Sequence, residues 1–509
     1  MSKTTSGFAR VFGAQPALPH AHLVSVECDI VKGLHAFTIV GLPDKAVEEA
    51  KDRVSSAIRN TGLDSPKRSN KKIVISLAPA ELKKEGAAFD LPFALAFLRA
   101  SAQVSFEPKG RLFAGELSLD GTIQPIRGAL SIAQLAQTKG YTELFVPAEN
   151  AGECSLVSGI DIYPVTSLID TVEHLTSKKK LRSYTIRSSR KQDKATPLDE
   201  IRGQEHAKRG LEIAAAGRHN IALYGPPGTG KTMLARAAAA ILPDLSESEM
   251  VEVTTIHSLA GALTESYISR PPFRTPHHTA SYASLIGGGT VPRPGEVTLA
   301  HRGVLFCDEF PEFHRDVVNA LREPLEDRVV SVSRAKGSAI YPANFMLIAA
   351  LNPCPCGFWG TSRCECMPHL VEKYRRKISG PIADRIDMWV TVPEMPLEML
   401  SLKSRRSGKE TETVREHISK ARKAQRSRFS DAKHLTTNAD MKAKDIEAYA
   451  ILTDAAERTL MSAAQSLKLS ARGFHRSIKL ARTIADLASS AAVEPAHMLE
   501  ALSYRSREF

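Results

Sequence analysis

The stretch that most constrains this 509-residue chain is Gly225-Pro226-Pro227-Gly228-Thr229-Gly230-Lys231-Thr232, which meets the phosphate-loop pattern G-x-x-x-x-G-K-[ST] at every fixed position. An apolar run, Asn220-Ile221-Ala222-Leu223-Tyr224, precedes it, and an alanine-rich helical stretch from Met233 to Ala240 follows. Strand, loop and helix in that order specify an α/β core built to hold a nucleotide, here read as ATP. The glycines let backbone N–H groups wrap phosphate oxygens, and the helix N-terminus adds positive potential. Lys231 is expected to reach the β- and γ-phosphates, and the Thr232 hydroxyl to ligate Mg²⁺.

A second run turns binding into hydrolysis. Gly303-Val304-Leu305-Phe306-Cys307-Asp308-Glu309 lies about 75 residues beyond the loop and reads as a buried parallel strand ending in two acids. Open α/β sheets place their ligands at that C-terminal edge. Asp308 is expected to hold Mg²⁺, directly or through water, and Glu309 to orient and polarise the attacking water.

A chain of this length should hold about three domains. It has no run of 18 apolar residues, and Met1-Ser2-Lys3-Thr4-Thr5 precedes no signal-like core, so a cytoplasmic protein is expected. Its seven cysteines are then reduced thiols or metal ligands rather than disulfides. The net charge of +12 and pI near 9.3 favour an acidic partner, nucleic acid first and an anionic membrane surface second.

The pattern divides the chain into residues 1–175, a linker 176–196, an ATPase core 197–396 and a remainder 397–509. In the first, Phe37–Val40, Ile73–Leu77 and Glu143–Val146 read as strands, Lys45–Asn60 and Leu91–Ala102 as helices, Asp44 as an N-cap and Leu119–Ile123 as a hairpin signal. The linker crowds Lys178, Lys179, Lys180, Arg182, Arg187, Arg190, Lys191 and Lys194 into a polar segment, either a solvated tether or a basic strap touching nucleic acid. The remainder is almost free of Gly and Pro after Gly408 and reads as a helical lid.

Further residues complete an ATPase. Ile348-Ala349-Ala350-Leu351-Asn352 is another strand with a polar end, and Asn352 can bond the γ-phosphate or the attacking water, the usual first sensor of AAA+ ATPases. In Ala383-Asp384-Arg385-Ile386-Asp387, Arg385 is a candidate arginine finger supplied to a neighbouring subunit's nucleotide. In Ser470-Ala471-Arg472-Gly473-Phe474-His475-Arg476, Arg472 is a candidate second sensor, with Arg476 the competing choice.

At this point the chain resembles the ComM/YifB family of magnesium-chelatase-like AAA+ ATPases over essentially its whole length. The motifs that carry the likeness are Phe37-Thr38-Ile39-Val40-Gly41-Leu42-Pro43-Asp44, Ser76-Leu77-Ala78-Pro79-Ala80, Arg274-Thr275-Pro276-His277-His278-Thr279, Pro292-Arg293-Pro294-Gly295-Glu296, Asn352-Pro353-Cys354-Pro355-Cys356-Gly357 and Ala481-Arg482-Thr483-Ile484-Ala485-Asp486-Leu487. The resemblance implies a homo-hexameric ring, and a DNA helicase that drives branch migration on single-stranded and branched DNA during natural transformation, alongside recombination partners.

Residues Asp327 to Ile340 read as a β-hairpin with a basic tip, similar to the pre-sensor hairpin that lines the pore of MCM-type helicases, with Arg334 and Lys336 as phosphate contacts. Ser284-Leu285-Ile286-Gly287-Gly288-Gly289-Thr290 resembles the helix-2 insert, a second pore loop. His277 and His278 beside it read as structural or exposed rather than as metal ligands. Cys354-Pro355-Cys356 and Cys364-Glu365-Cys366 suit a structural four-cysteine zinc site clamping the loop after Asn352, against the alternative of a reduced cysteine-rich loop. Cys28, Cys154 and Cys307 read as isolated buried thiols.

The N-terminal region resembles the Lon-protease fold of the ribosomal S5 domain 2-like group, which makes an ATP-dependent protease a rival reading. Lys84-Glu85-Gly86-Ala87-Ala88 places Ala88 where those proteases carry serine, so the nucleophile is missing. A magnesium-chelatase motor and a protein-remodelling ATPase are the other rivals. The expected architecture is therefore α/β: a P-loop AAA+ core with a Lon-like α+β N-terminal domain and a helical C-terminal lid.

Overall fold

The computed structural model describes residues 7–68, 70–185, 197–288, 293–334, 337–378, 380–396, 409–432 and 434–505. Linker residues Arg187, Arg190, Lys191 and Lys194, the insert residues Gly289 and Thr290, and Lys336 lie outside the described residues, as does the side chain of Arg334. The chain divides into two compact units, Met1–Arg190 with Ser246–Ile268, and Lys191–Leu245 with Ser269–Phe509.

In the first unit, strands Phe8–Gln15, His22–Lys32, Lys71–Ala78 and Ala36–Val40 form one sheet in that order. The first two pairings are antiparallel and the last is parallel, with Val26 opposite Leu77 and Ile39 opposite Ile75. Helix Lys45–Asn60 begins where Asp44 accepts a hydrogen bond from Val47 N, and it buries Val47, Ala50, Val54, Ala57 and Ile58 along one face. Helix Asp90–Ala100 is apolar nearly all round and is buried accordingly. A second, parallel sheet orders Arg111–Phe113, Glu143–Pro147 and Asp161–Val165. Helix Glu247–Ala260 packs in this unit although its sequence lies between the phosphate loop and the acidic strand. Ser258 Oγ accepts from Gly128 N at 2.9 Å, and the Ser258 hydroxyl also bonds the buried Glu153.

The second unit is built on a five-stranded parallel sheet, in the order Phe273–Arg274, Val304–Cys307, Met346–Leu351, Ile221–Tyr224, Met388–Thr391. The three central strands are almost entirely buried, as parallel strands covered on both faces must be. Buried Asn220 ties three of them at one end: its N–H donates to Asp387 Oδ2 at 2.9 Å, its Nδ2 to Arg385 O at 3.1 Å, and its Oδ1 accepts from Leu347 N at 2.9 Å. The helices Glu410–Arg428, Ala443–Tyr449, Asp454–Ser466, Ala471–Leu487 and Pro495–Ser503 share one hydrophobic core with the sheet. Arg422 and Gln425 donate to the free carbonyls of Ala215 and Ala216 at the end of helix Glu205–Gly217. His219 Nε2 lies 2.8 Å from Thr483 Oγ1. Among the described residues no helix is long and apolar enough to cross a membrane.

Candidate nucleotide-hydrolysis site

Ile221–Tyr224 ends in the loop Gly225-Pro226-Pro227-Gly228-Thr229-Gly230, and helix Lys231–Ile241 begins immediately. Gly228 and Gly230 sit at φ 78° and 87°, a region that side-chain-bearing residues rarely adopt, so the loop curls back over its own helix N-terminus. Lys231 is buried, and its Nζ donates to Gly225 O and Pro226 O, both at 2.7 Å, and to Asn352 Oδ1 at 3.1 Å. Burial pushes its pKa down to about 8, against the opposing pull of Asp308 and Glu309. Thr232 Oγ1 donates to Asp308 Oδ2 at 2.9 Å. Lys231, Thr232, Asp308 and Asn352, from three adjacent strand ends, therefore meet at one sheet edge.

Glu309 follows Asp308 in the left-handed region, at φ 50° and ψ 46°, a conformation that costs a non-glycine residue about 1–3 kcal/mol. It leaves the carboxylate half-exposed beside the loop, while the Glu309 N–H donates to Asp308 Oδ1 at 3.0 Å. His278 Nδ1 lies 3.5 Å from Glu309 Oε2. His278 is partly exposed, and the contact gives it a place beside the catalytic acid that the reading as structural or exposed did not specify. Residues Phe273–Arg274 pair with Val304–Leu305, so the loop after that edge strand emerges alongside the acidic strand's end. The only sequence signal was the position of His278 just beyond a short strand whose neighbour was unknown. Tyr374 was also missed: its buried hydroxyl accepts from the Asn352 backbone N–H, and burial with the nearby carboxylates pushes its pKa up.

The two arginine candidates come together elsewhere. Arg385 and Arg472 both bond the carboxylate of Glu326, Arg472 at 3.1 Å, and Arg385 also donates to Pro381 O at 2.6 Å. Neither is hydrogen-bonded to the phosphate loop among the described residues. The competing Arg476 pairs with buried Asp387 at 3.5 Å. Burial alone would raise the Asp387 carboxyl, but Arg476, His219 and the Asn220 N–H hold it well below the usual carboxylate range.

The hairpin is present as strands Val329–Arg334 and Gly337–Pro342, which pair antiparallel with Arg334 opposite Gly337. It starts later than the sequence suggested, because helix Arg322–Asp327 runs to its foot and Arg328 caps it at φ 59°. In the insert, helix Tyr282–Ile286 leads into Gly287-Gly288, which pairs antiparallel with Arg293-Pro294. The sulfurs of Cys354, Cys356, Cys364 and Cys366 all lie within 4.8 Å of one another. Cys28, Cys154 and Cys307 are buried and separate, and burial pushes the Cys28 and Cys307 thiols up to about 12.

A family model described as magnesium chelatase, subunit ChlI, matches residues 197–400. Models for subunit ChlI of Mg-chelatase and for the ChlI C-terminal part match 26–150 and 408–505. The competence protein ComM of Haemophilus influenzae is 41% identical over 495 residues, 96% of this chain and 95% of its own length. The chain belongs to the ComM/YifB family of magnesium-chelatase-like AAA+ ATPases. YifB of Escherichia coli is 40% identical over 485 residues, 95% of this chain and 94% of its own. Lon protease 2 of Bacillus subtilis is 27% identical over 261 residues, 46% of this chain and 47% of that protein. Despite that likeness, position 88 is a buried alanine, and Lys84 nearby is buried with its Nζ on Pro79 O.

Family membership implies ATP and Mg²⁺, and the residues fit both. Among the described residues, buried Lys231 has only neutral oxygens as hydrogen-bond partners, a cation in need of an anion. Thr232 and Asp308 already share a hydrogen bond and supply the oxygen donors that Mg²⁺ prefers.

Proposed function

We propose that the protein is a cytoplasmic, ATP-driven DNA motor that works as a homo-hexamer and promotes branch migration of single-stranded and branched DNA during recombination in natural transformation. The observation that carries the catalytic half is the convergence of Lys231, Thr232, Asp308, Glu309 and Asn352 at one sheet edge. Lys231, with the loop N–H groups of Gly228 to Thr232, binds the phosphates. Thr232 and Asp308 hold Mg²⁺, which neutralises phosphate charge when bound. Glu309 orients the attacking water, Asn352 reads the γ-phosphate, Arg385 serves the neighbouring subunit's nucleotide, and Arg472 is the second sensor. The DNA half is supported by the net charge of +12, the hairpin whose sequence, with Arg334 and Lys336 at its tip, lies between the acidic and sensor strands, and the similarity to a competence protein.

The test is ATP-dependent branch migration of a three-strand or four-way junction, with Lys231→Ala as control. Strand release by the wild type alone is expected. The description of the matched family models favours a second reading, a chelatase-type or protein-remodelling motor. An ATPase that neither releases strands nor responds to DNA would transfer the assignment to it.

A further inference from the structure

We infer that Cys354, Cys356, Cys364 and Cys366 form a tetrathiolate zinc site whose role is to brace the roof of the nucleotide pocket. The inference rests on the ATPase reading for the bracing, but not for the metal.

Three of the sulfur separations approach the edges of a tetrathiolate metal site, and Cys366 Sγ lies within 4.8 Å of the other three sulfurs. Cys354 Sγ lies 3.3 Å from Cys356 Sγ and 3.8 Å from Cys364 Sγ, and Cys356 Sγ lies 3.7 Å from Cys364 Sγ. A disulfide would bring two sulfurs to about 2.05 Å, so none of these three pairs is bonded. A tetrahedron with Zn–S arms of about 2.3 Å has edges of about 3.8 Å, close to the observed separations. Four soft ligands, with no carboxylate or imidazole among them, select zinc over the harder cations and leave no open position for catalysis. The backbone N–H groups of Phe358 and Glu365 both point at Cys356 Sγ, the kind of donors that orient a metal-bound thiolate. Cys354 is buried while the other three are partly exposed, which leaves a route for the ion.

Apart from the sulfurs, the chain here is held by side chains rather than by regular structure: Arg363 pairs with Glu394 and lies over the Phe358 ring. Among the described residues, no helix or strand lies between the strand that ends at Leu351 and the helix that begins at Pro368. The backbone bonds of this segment are isolated turns, such as Gly357 N to Cys354 O at 3.0 Å and Cys364 N to Thr361 O at 3.2 Å. Yet this segment touches the phosphate loop twice. Asn352, two residues before the first ligand, accepts from Lys231 Nζ. Gly357, one residue after the second ligand, sits at φ 88°, and a Cβ there would lie 2.6 Å from Pro227 Cδ. The zinc-bound turn is thus seated directly on the phosphate loop, and losing the ion would release both the sensor and the roof.

The experiment begins with the metal content of the full-length protein, purified without chelator. About one zinc per chain is expected, and none in Cys356→Ser/Cys364→Ser. Cobalt exchanged into the wild type should give the visible bands of a tetrahedral thiolate site. No metal, or iron in place of zinc, would overturn the assignment. Because the cysteine variant can fail to fold, two further measurements carry the bracing. Stripping zinc from folded wild type should lower ATP turnover about tenfold or more, and restoring zinc should recover it. Gly357→Ala should keep its zinc and still lose turnover, through the contact with Pro227. Zinc removal or Gly357→Ala without effect on nucleotide binding or turnover would overturn the bracing role. Lys231→Ala should retain zinc. A wild type that holds zinc and does not hydrolyse ATP would sink the ATPase reading and leave the metal site standing.

Discussion

Lys231 carries the most direct pH signature. Burial holds it near 8 while the unfolded chain keeps about 10.5. Between those values the unfolded state binds more protons, so this group's contribution to the nucleotide-free protein's stability rises with pH across that window. Phosphates stabilise the charged form, so binding at pH 8 should take up about half a proton per site, and affinity should fall as pH rises above 8. Isothermal titration in two buffers of different ionisation enthalpy measures that uptake; equal heats in both would show that Lys231 is already fully charged. Glu309 answers a different question. Glu309→Gln keeps the shape and removes the base, so it should bind ATP and fail to turn it over. His278 touches Glu309 and not the phosphate loop, so His278→Ala should leave nucleotide affinity unchanged. Turnover should drop by up to about 10²-fold as the carboxylate loses its position. A weakened affinity in that variant would make His278 part of the binding site instead.

At the scale of elements, the buried Asp387 joins the helical C-terminal part to the sheet. It accepts from Asn220 N at one strand start and pairs with Arg476 on helix Ala471–Leu487. Asp387→Ala leaves the Arg476 charge without its carboxylate and one strand N–H unsatisfied, a loss of about 3–5 kcal/mol. Because the carboxyl is held below its ordinary value, that stabilisation is present above about 3.8 and is lost as pH falls further. Calorimetry should therefore show the variant unfolding earlier at neutral pH, with the gap from wild type closing in acid. The hairpin predicts the opposite pattern: Arg334→Ala with Lys336→Ala should spare basal ATPase and weaken DNA binding, reducing the salt slope by about 2. The phosphate loop, acidic strand and sensor strand were legible in the sequence because each is a continuous apolar run ending in chemistry. Helix Lys45–Asn60 was legible because Asp44 caps it and its apolar residues keep one face. His278, Tyr374 and Glu326 were not, because each meets its partner through sheet order or tertiary packing that no local pattern encodes. The same holds for helix Glu247–Ala260, whose place in the sequence between the phosphate loop and the acidic strand does not show which unit it joins.

At the scale of the molecule, the arginines decide whether the site is complete in one chain. Among the described residues, Arg385 and Arg472 are both turned to Glu326, and neither hydrogen-bonds the phosphate loop. In the hexamer proposed here Arg385 serves its neighbour, and a ring of head-to-tail interfaces places one subunit's arginine at the next subunit's nucleotide. Two inactive variants then complement each other. A site formed by the phosphate loop of an Arg385→Ala chain and the arginine of a Lys231→Ala chain contains every part. In a ring assembled at random from equal amounts of the two, about one site in four has that composition, so ATPase activity should return to about a quarter of wild type. An Arg385 that acted within its own chain would leave every mixed site defective, and mixing would restore nothing. Activity that appears only when the chains are mixed before assembly, and scales with the product of the two mole fractions, would identify both the ring and the direction in which its arginines point.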